Sequence, residues 1–175
     1  MSGPTLTPLA THREMRLGGF AALFGAFALD QATKLLVLAA LGRGEVLAVL
    51  PIFNLRLSLN QGISFSLFTE TFTDRPVMLA GIGLAVTALL GVLLLRAASR
   101  LDAVALGLMI GGALGNILDR LRIGAVVDFI DFHVWGLHWP AFNLADSAIV
   151  IGAMTLVATT FIGKRRDSTT EERSP

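Results

Sequence analysis

The chain has 175 residues, of which 54% are hydrophobic and 15% are charged, and its formal net charge is +1. A soluble domain carries about 25% charged residues, so the shortage of charge indicates a protein whose solvent is largely lipid. The small net charge excludes the broad basic surface by which proteins bind nucleic acid. The sequence contains no cysteine, which excludes a disulfide, a thiolate zinc site and a cysteine nucleophile.

The histidines of the chain form no metal-binding pattern such as HExxH. They are His12, His133 and His138. We therefore predict neither a metal nor any other cofactor. His133 and His138 are close in sequence to Trp135 and Trp139, and we interpret these four residues as part of a wet membrane interface, where tryptophan is enriched.

Four apolar stretches are long enough to cross a bilayer, because about 20 helical residues span a hydrocarbon core of about 30 Å. We predict spans at residues 17–41, 76–95, 103–120 and 142–163. The first stretch is longer than the apolar part of a signal peptide and contains polar residues, so we interpret it as a retained helix. The prediction is a single integral membrane domain over residues 1–175, with disordered tails at 1–12 and 167–175.

Basic residues flank these spans unevenly. They lie before the first span, between the second and third spans, and after the fourth: Arg13, Arg16, Arg96, Arg100, Lys164, Arg165 and Arg166. The positive-inside rule places those three segments, and therefore both termini, in the cytoplasm. Residues 42–75 and 121–141 are then predicted to lie on the outer side.

The first outer segment has the pattern of a sheet. Apolar and polar side chains alternate from Phe53 to Asn60, which is the period of a strand with one face of each kind. A turn-forming sequence follows at 60–62, and the alternation resumes at Ile63. We predict a small antiparallel sheet at about residues 46–68 that lies on the membrane.

The predicted spans carry polar residues that lipid should exclude. Asp30 and Lys34 are four residues apart on one helix face, where they either neutralise each other or line a polar cleft. Asn116 and Asp119 share a face of the third span, and Arg120 follows. These three residues would also be explained if the third span ended here, with Asp119 and Arg120 paired at the lipid headgroups.

More acidic residues follow near the same predicted boundary. Asn143 and Asp146 share a face of the fourth span, although a helix cap and a favourable dipole would also explain them. Asp128 lies in VVDFID, whose alternation predicts a strand, and Asp131 falls on the opposite face, where we expect it to be solvated. The convergence of these acids on the outer membrane boundary favours a functional site.

Two carboxylates that meet at a low-dielectric boundary share one proton. Such a pair can remove a proton from an attacking water and protonate a leaving amine. We predict that Asp128 and Asp146 form this catalytic pair. From the residues alone, Asp119 is a second candidate.

Two other functions are compatible with parts of the sequence. Gly107, Gly111 and Gly115 recur every four residues, which is typical of close helix packing in lipid and would suit a membrane scaffold. Acidic and basic residues within spans also occur in small proton-coupled membrane transporters. A scaffold role would leave the acidic cluster unexplained. A transporter role is less favoured because the sequence shows no inverted repeat.

Five motifs occur in the order and spacing of one known family: DQATK at 30–34, NQGISF at 60–65, GGALGNILDR at 111–120, VVDFI at 126–130 and FNLADSAI at 142–149. With them, the chain resembles prolipoprotein signal peptidase (signal peptidase II) over about residues 13–163. The resemblance implies an all-α membrane fold, a four-transmembrane-helix bundle with a small extracytoplasmic antiparallel β-sheet. It also implies an intramembrane aspartyl endopeptidase.

The resemblance assigns the catalytic aspartates to Asp128 and Asp146. It assigns substrate-binding and supporting roles to Asp30, Lys34, Asn60, Asn116, Asp119, Arg120 and Asn143, and it implies no metal.

The implied substrate is a diacylglyceryl-modified prolipoprotein, cut just before its lipidated cysteine, and the implied inhibitor is globomycin. The implied location is the bacterial cytoplasmic (inner) membrane, with the site toward the outer leaflet. There we expect a monomer surrounded by membrane lipid. We further hypothesise that the polar face of the predicted sheet, including Asn54 and Ser58, hydrogen-bonds the substrate peptide.

Overall fold

The computed structural model describes residues 12–62 and 75–171. Its long helices are α1 (His12–Ala40), α2 (Pro76–Leu95), α3 (Arg100–Ile123) and α4 (Leu144–Glu171). Its strands are β1 (Val46–Leu50), β2 (Phe53–Asn60), β3 (Val126–Val134) and β4 (Leu137–His138). Within the described ranges, four helices are long and apolar enough to cross a membrane. The predicted architecture, a membrane bundle with a small antiparallel sheet, is confirmed.

Some predicted boundaries differ from those of the elements. Helix α4 continues through residues 167–171, where we expected a disordered tail to begin. The predicted tail residues 1–11 and 172–175 lie outside the described residues, as does the strand expected to start at Ile63.

Helix α3 is the centre of the bundle and packs against the other three helices. Its glycines allow this close packing: a Cβ on Gly107 or Gly111 would overlap backbone oxygens of α1. A Cβ on Gly112 would likewise overlap the backbone oxygen of Ala145 in α4. The glycine spacing therefore lets two neighbouring helices approach α3 at backbone distance, as the sequence predicted.

The ends of α3 are set by two local signals. Ser99 is the N-cap, and its Oγ accepts a hydrogen bond from the backbone N–H of Asp102 at 3.0 Å. Gly124 ends the helix with φ of 73°, a left-handed conformation that glycine adopts without strain. This turn leads directly into β3, so the end of α3 determines where the acidic residues of β3 lie.

The strands pair antiparallel in the order β1-β2-β3-β4. Strand β2 contacts β3 with Asn54 opposite Asp131 and Ser58 opposite Asp128, and the register shifts by one residue between these pairs. The shift is a bulge in β2, which interrupts the two-residue period. The strict alternation predicted for β2 is therefore wrong, since Asn54 and Leu57 are both buried.

The inner face of the sheet rests on the bundle. Leu57, Val127 and Phe129 form a buried apolar cluster with Val37 of α1. Burying each such side chain contributes about 1.5–3 kcal/mol. This cluster attaches β3 to the end of α1, so that Asp128 lies beside the polar residues of the helices.

Candidate active site

A buried lysine joins two helices at one end of the bundle. Lys34 Nζ lies 2.9 Å from Asp30 Oδ2 within α1 and 2.8 Å from Asp119 Oδ2 on α3. It also donates a hydrogen bond to Asn116 Oδ1 at 2.9 Å. The Lys34 side chain is 2% exposed and that of Asp30 is fully buried, so the two neutralise each other and at the same time connect to α3.

The same acids reach two further elements. Asp30 Oδ1 accepts a hydrogen bond from the backbone N–H of Ala145 in α4 at 2.9 Å. Asp119 Oδ2 accepts one from the backbone N–H of Val127 in β3 at 3.1 Å. Gln31 donates to both Asp30 and Asp119, at 3.2 Å each. These bonds hold α1, α3, α4 and β3 in one arrangement.

Asp128 lies on β3 between two asparagines. Its Oδ1 accepts a hydrogen bond from Asn143 Nδ2 at 2.7 Å, and its Oδ2 accepts one from Asn60 Nδ2 at 3.1 Å. The side chain is 2% exposed. Burial, together with the nearby charge of Asp146, raises the pKa of Asp128 to about 7, despite both hydrogen bonds.

Asp146 lies in the first turn of α4 and contacts the same asparagine. The Asn143 backbone N–H donates to Asp146 Oδ2 at 3.3 Å, and the Asp146 backbone N–H donates to Asn143 Oδ1 at 2.9 Å. This reciprocal pair caps the helix. Asn116 Nδ2 donates to Asp146 Oδ1 at 2.8 Å. Asn143 therefore connects Asp128 to Asp146. Asn143 and Asp146 do cap the helix, and the same asparagine also contacts both acids.

Arg120 lies at the edge of this network. Its guanidinium donates to the backbone oxygen of Asn116 at 3.2 Å and to that of Gly62 at 3.3 Å. The second bond connects α3 to Gly62, two residues after the end of β2. The guanidinium also interacts electrostatically with Asp119, Asp128 and Asp146, so Arg120 adds positive charge beside the acids.

An apolar groove opens next to Asp146. Its volume is about 600 Å³, and it is lined by residues 139–142 and by the start of α4, including Asp146, Ile149 and Val150. Trp139 and Val150, which line it, are each 60% exposed. A carboxylate among mostly apolar lining residues suits a substrate that is mostly apolar. Among the described residues, no group of three or more His, Asp and Glu side chains is placed to hold a metal ion.

Residues 22–162 match the family model described as signal peptidase (SPase) II, peptidase family A8.

The chain belongs to the signal peptidase II family.

Relatives and solved structures agree with this assignment. The chain is 44% identical over 129 residues to the lipoprotein signal peptidase of Burkholderia mallei and 45% identical over 129 residues to that of Paraburkholderia phymatum. Each match covers 73% of this chain and 78% of the relative. The fold is similar to a bacterial membrane enzyme solved by the in meso method at 2.3 Å, with a TM-score of 0.74 and 26% identity. That match covers 90% of this chain and 93% of the other.

A second bacterial membrane enzyme, solved by the same method at 1.9 Å, has a TM-score of 0.70 and 27% identity, over 81% of this chain and 91% of the other. The prediction of an aspartic peptidase of the signal peptidase II family is confirmed, and it replaces the transporter and scaffold alternatives. The protein is a multi-pass membrane protein with bacterial relatives.

All nine residues singled out from the sequence of this signal peptidase lie in one connected hydrogen-bond and ion-pair network. They are Asp30, Lys34, Asn60, Asn116, Asp119, Arg120, Asp128, Asn143 and Asp146. Gln31, which joins Asp30 to Asp119, was not predicted as a site residue. Its position beside Asp30, within a span where amides are rare, was the available signal.

The expectation that Asp131 is solvated is wrong. Its carboxylate is 2% exposed and accepts a hydrogen bond from Asn54 Nδ2 at 3.2 Å. His138 Nδ1 lies 2.8 Å from Asp131 Oδ1. The bulge in β2 brings Asn54 opposite Asp131, which strand alternation did not reveal. Asn54 is therefore committed to an internal contact, and it does not belong to a free polar face that could hydrogen-bond a substrate.

Proposed function

We propose that this signal peptidase II removes the signal peptide from diacylglyceryl-modified prolipoproteins, with Asp128 and Asp146 as its catalytic pair. One observation carries the assignment: Asn143 donates to both carboxylates, through its side chain to Asp128 and through its backbone to Asp146. Two acids held by one residue can share a proton, which is what aspartic peptidases require.

The surroundings of the two acids suggest their starting roles. Asp128, whose pKa lies near 7, holds the shared proton. Asp146 accepts hydrogen bonds from Asn116 and from the backbone of Asn143, and it lines the apolar groove. We therefore assign Asp146 as the base that accepts a proton from water and Asp128 as the acid that donates its proton to the carbonyl oxygen.

The reaction then proceeds through a tetrahedral diol. The water oxygen bonds to the carbonyl carbon, one water proton passes to Asp146, and the Asp128 proton passes to the former carbonyl oxygen. In the second step a diol proton returns to Asp128, the Asp146 proton passes to the amide nitrogen, and the C–N bond breaks. Both acids end in their starting states.

Asp119 is the less suitable acid for this chemistry. One of its oxygens lies 2.8 Å from the Lys34 ammonium and also accepts a hydrogen bond from Val127. These contacts commit that oxygen to holding Lys34 and β3. We therefore assign Asp119 a supporting role, with Asp30 and Lys34, in holding the helices that carry the pair.

The remaining residues hold the substrate side of the site. Asn60 positions Asp128 from β2, and Arg120 bonds the backbone oxygen of Gly62, just after β2. The apolar groove beside Asp146 suits a substrate anchored in the same membrane by its acyl chains. Cleavage occurs just before the lipidated cysteine of that substrate, and globomycin competes for the site.

The location follows from the charges around the helices. Basic residues flank the ends of the helices opposite the site, for example Arg96 and Arg100, so those ends and both termini lie in the cytoplasm. The site then faces the outer leaflet of the bacterial cytoplasmic membrane. We propose that the enzyme works as a monomer in that membrane.

The test is cleavage of a diacylglyceryl-modified precursor in proteoliposomes by the Asp128→Asn and Asp146→Asn variants. Each should lose at least about a thousandfold in turnover, because the two acids act as a unit. Asp102→Asn is the matched control, since Asp102 lies at the other end of α3, bonded to Ser99 and Thr159. Full turnover by either variant would overturn the assignment of Asp128 and Asp146 as the catalytic pair.

The lipid requirement is tested with the same enzyme. A precursor without the diacylglyceryl group should remain uncut, and globomycin should block cleavage of the modified one. Equal cleavage of both precursors would limit the proposal to a general signal peptidase.

A further inference from the structure

A second polar cluster lies on the sheet outside the site just described. Asp131 of β3 is buried, and it accepts hydrogen bonds from Asn54 of β2 and from His138 of β4. Because an ionised carboxylate only accepts, His138 Nδ1 carries the hydrogen. Burial acts to raise the pKa of Asp131, but the hydrogen bonds from His138 and Asn54 outweigh it and hold the pKa below its usual range. Asp131 is therefore charged at neutral pH.

The hairpin that carries His138 needs such a contact. Strand β4 has two residues, and the turn before it contains Trp135 with φ of 52° and Gly136 with φ of 81°. A left-handed φ is costly for a bulky residue. The Trp135 side chain is 98% exposed, so packing does not compensate for that cost. Other contacts of the hairpin must therefore stabilise this conformation of Trp135. The Asp131–His138 contact is the one among them that includes a charged group.

The hairpin leads directly into one wall of the groove beside Asp146. We define the wall as residues 139–142. Its first residue, Trp139, follows His138 and donates its backbone N–H to the Phe132 oxygen at 2.8 Å. Its last residue, Phe142, exchanges backbone hydrogen bonds with Ile130, at 2.8 and 3.1 Å. Between them, Pro140 has no N–H to donate.

The two ends of the wall are thus held differently. The Phe142 end is attached to β3 by backbone bonds and is followed at once by Asn143, which contacts both catalytic acids. The Trp139 end has a single backbone bond to β3, to the Phe132 oxygen, and otherwise depends on the short hairpin. A loss of the Asp131–His138 contact would loosen the Trp139 end while leaving Asn143 in place.

We propose that Asp131 and His138 are positioning residues of the signal peptidase reaction, which hold the wall against the apolar part of the substrate beside the scissile bond. The inference rests on the proposed function, because it takes Asp146 as the reacting end of the groove. Apart from Asp146 and Ser147, the described lining of the groove is apolar. The wall therefore contributes binding of an apolar group and takes no part in proton transfer.

The first test separates KM from kcat for cleavage of the modified precursor. His138→Phe keeps the ring that stacks on His133, at 5.1 Å between centroids, and removes the donor to Asp131. We expect KM to rise about tenfold with kcat within about twofold, since substrate binding alone is weakened. Asp131→Asn should act in the same direction, and the double variant should be no worse than the poorer single one.

A conservative change provides the rescue. His138→Asn keeps an N–H donor close to the position of Nδ1, so its KM should return toward that of the unchanged enzyme. A KM for His138→Asn as high as that of His138→Phe would overturn the role of the hydrogen bond. A fall in kcat at unchanged KM would overturn the positioning role for either residue.

Trp139→Ala keeps the proposal testable if the hairpin variants do not fold. Its side chain is 60% exposed, so its loss should be tolerated, and KM should rise because the wall itself is removed. An unchanged KM would overturn the proposal. Asp102→Asn is again the matched control and should leave both constants unchanged.

These outcomes are distinct from a failure of the catalytic assignment. If Asp128→Asn retains turnover while His138→Phe raises KM, the acid pair is wrong and the positioning role stands. If Asp128→Asn is inactive and His138→Phe has normal KM, the acid pair stands and the positioning role is wrong.

Discussion

The site contains two groups of aspartates, and they differ in what surrounds them. Asp30 and Asp119 both contact the ammonium of Lys34. Asp128 and Asp146 accept hydrogen bonds from the neutral amides of Asn60, Asn116 and Asn143 instead. Among the described residues, Lys34 forms ion pairs with both acids of the first group, and no Lys or Arg forms one with the second group. The first group is suited to structure and the second to chemistry.

The largest expected effect on stability comes from removing the cation. Lys34→Met leaves Asp30 and Asp119 charged and buried without their partner, which costs about 3–5 kcal/mol. We expect the thermal unfolding temperature in detergent to fall well below that of the unchanged enzyme. Asp102→Asn, at the other end of α3, is the control. An unfolding temperature near normal would mean that the Lys34 group is not what joins α1 to α3.

A smaller loss should follow from crowding the same group. A Cβ at Gly115 would overlap Asp30 Oδ2, so Gly115→Ala should cost about 1–3 kcal/mol. Gly81→Ala is the control, because a Cβ there meets nothing within 4 Å. Equal unfolding temperatures for the two alanine variants would contradict the close approach of α3 to Asp30.

The catalytic group should respond to pH instead. The pKa of Asp128 is raised to about 7 from a usual 3.8. Above about 7 the proton is lost and both acids are charged, so kcat should fall about tenfold for each pH unit. The measurement is turnover of the modified precursor between pH 5 and 9. A flat profile up to pH 9 would remove Asp128 as the acid.

Stability should depend on pH with the corresponding sign. The folded enzyme binds the Asp128 proton more tightly than the unfolded chain does. The stability from that proton is fully present below the unfolded pKa and is lost as pH rises to the folded pKa near 7. The unfolding temperature should therefore drop more between pH 4 and 8 in the unchanged enzyme than in Asp128→Asn. Parallel curves would contradict the raised pKa.

The smallest expected effect is a shift of the pH profile. Asn60 donates to Asp128 Oδ2 at 3.1 Å and thereby lowers the pKa of Asp128. Asn60→Ala should move the alkaline fall of kcat to higher pH by a few tenths of a unit, the scale of one weak hydrogen bond. Asp102→Asn, at the other end of α3, serves as the control. A shift to lower pH would show that Asn60 acts in another way.

Local sequence determined much of this signal peptidase. Apolar length specified the helices, glycine spacing specified the close contacts of α3, and five motifs identified the nine residues of the site. These signals depend on hydrophobic period and residue type within short windows, and such windows are visible in a sequence.

Tertiary structure decided which polar groups meet. The pairing of β2 with β3, the bulge near Leu57 and the burial of Asp131 all depend on contacts between residues some 70 positions apart. A one-residue change of register moves side chains to the opposite face of a strand, so alternation alone placed Asp131 in water and Asn54 on a free polar face. Likewise, Asp119 meets Lys34, Asp128 meets Asn60, and Asp146 meets Asn116 because packed elements bring together groups that lie far apart in the chain.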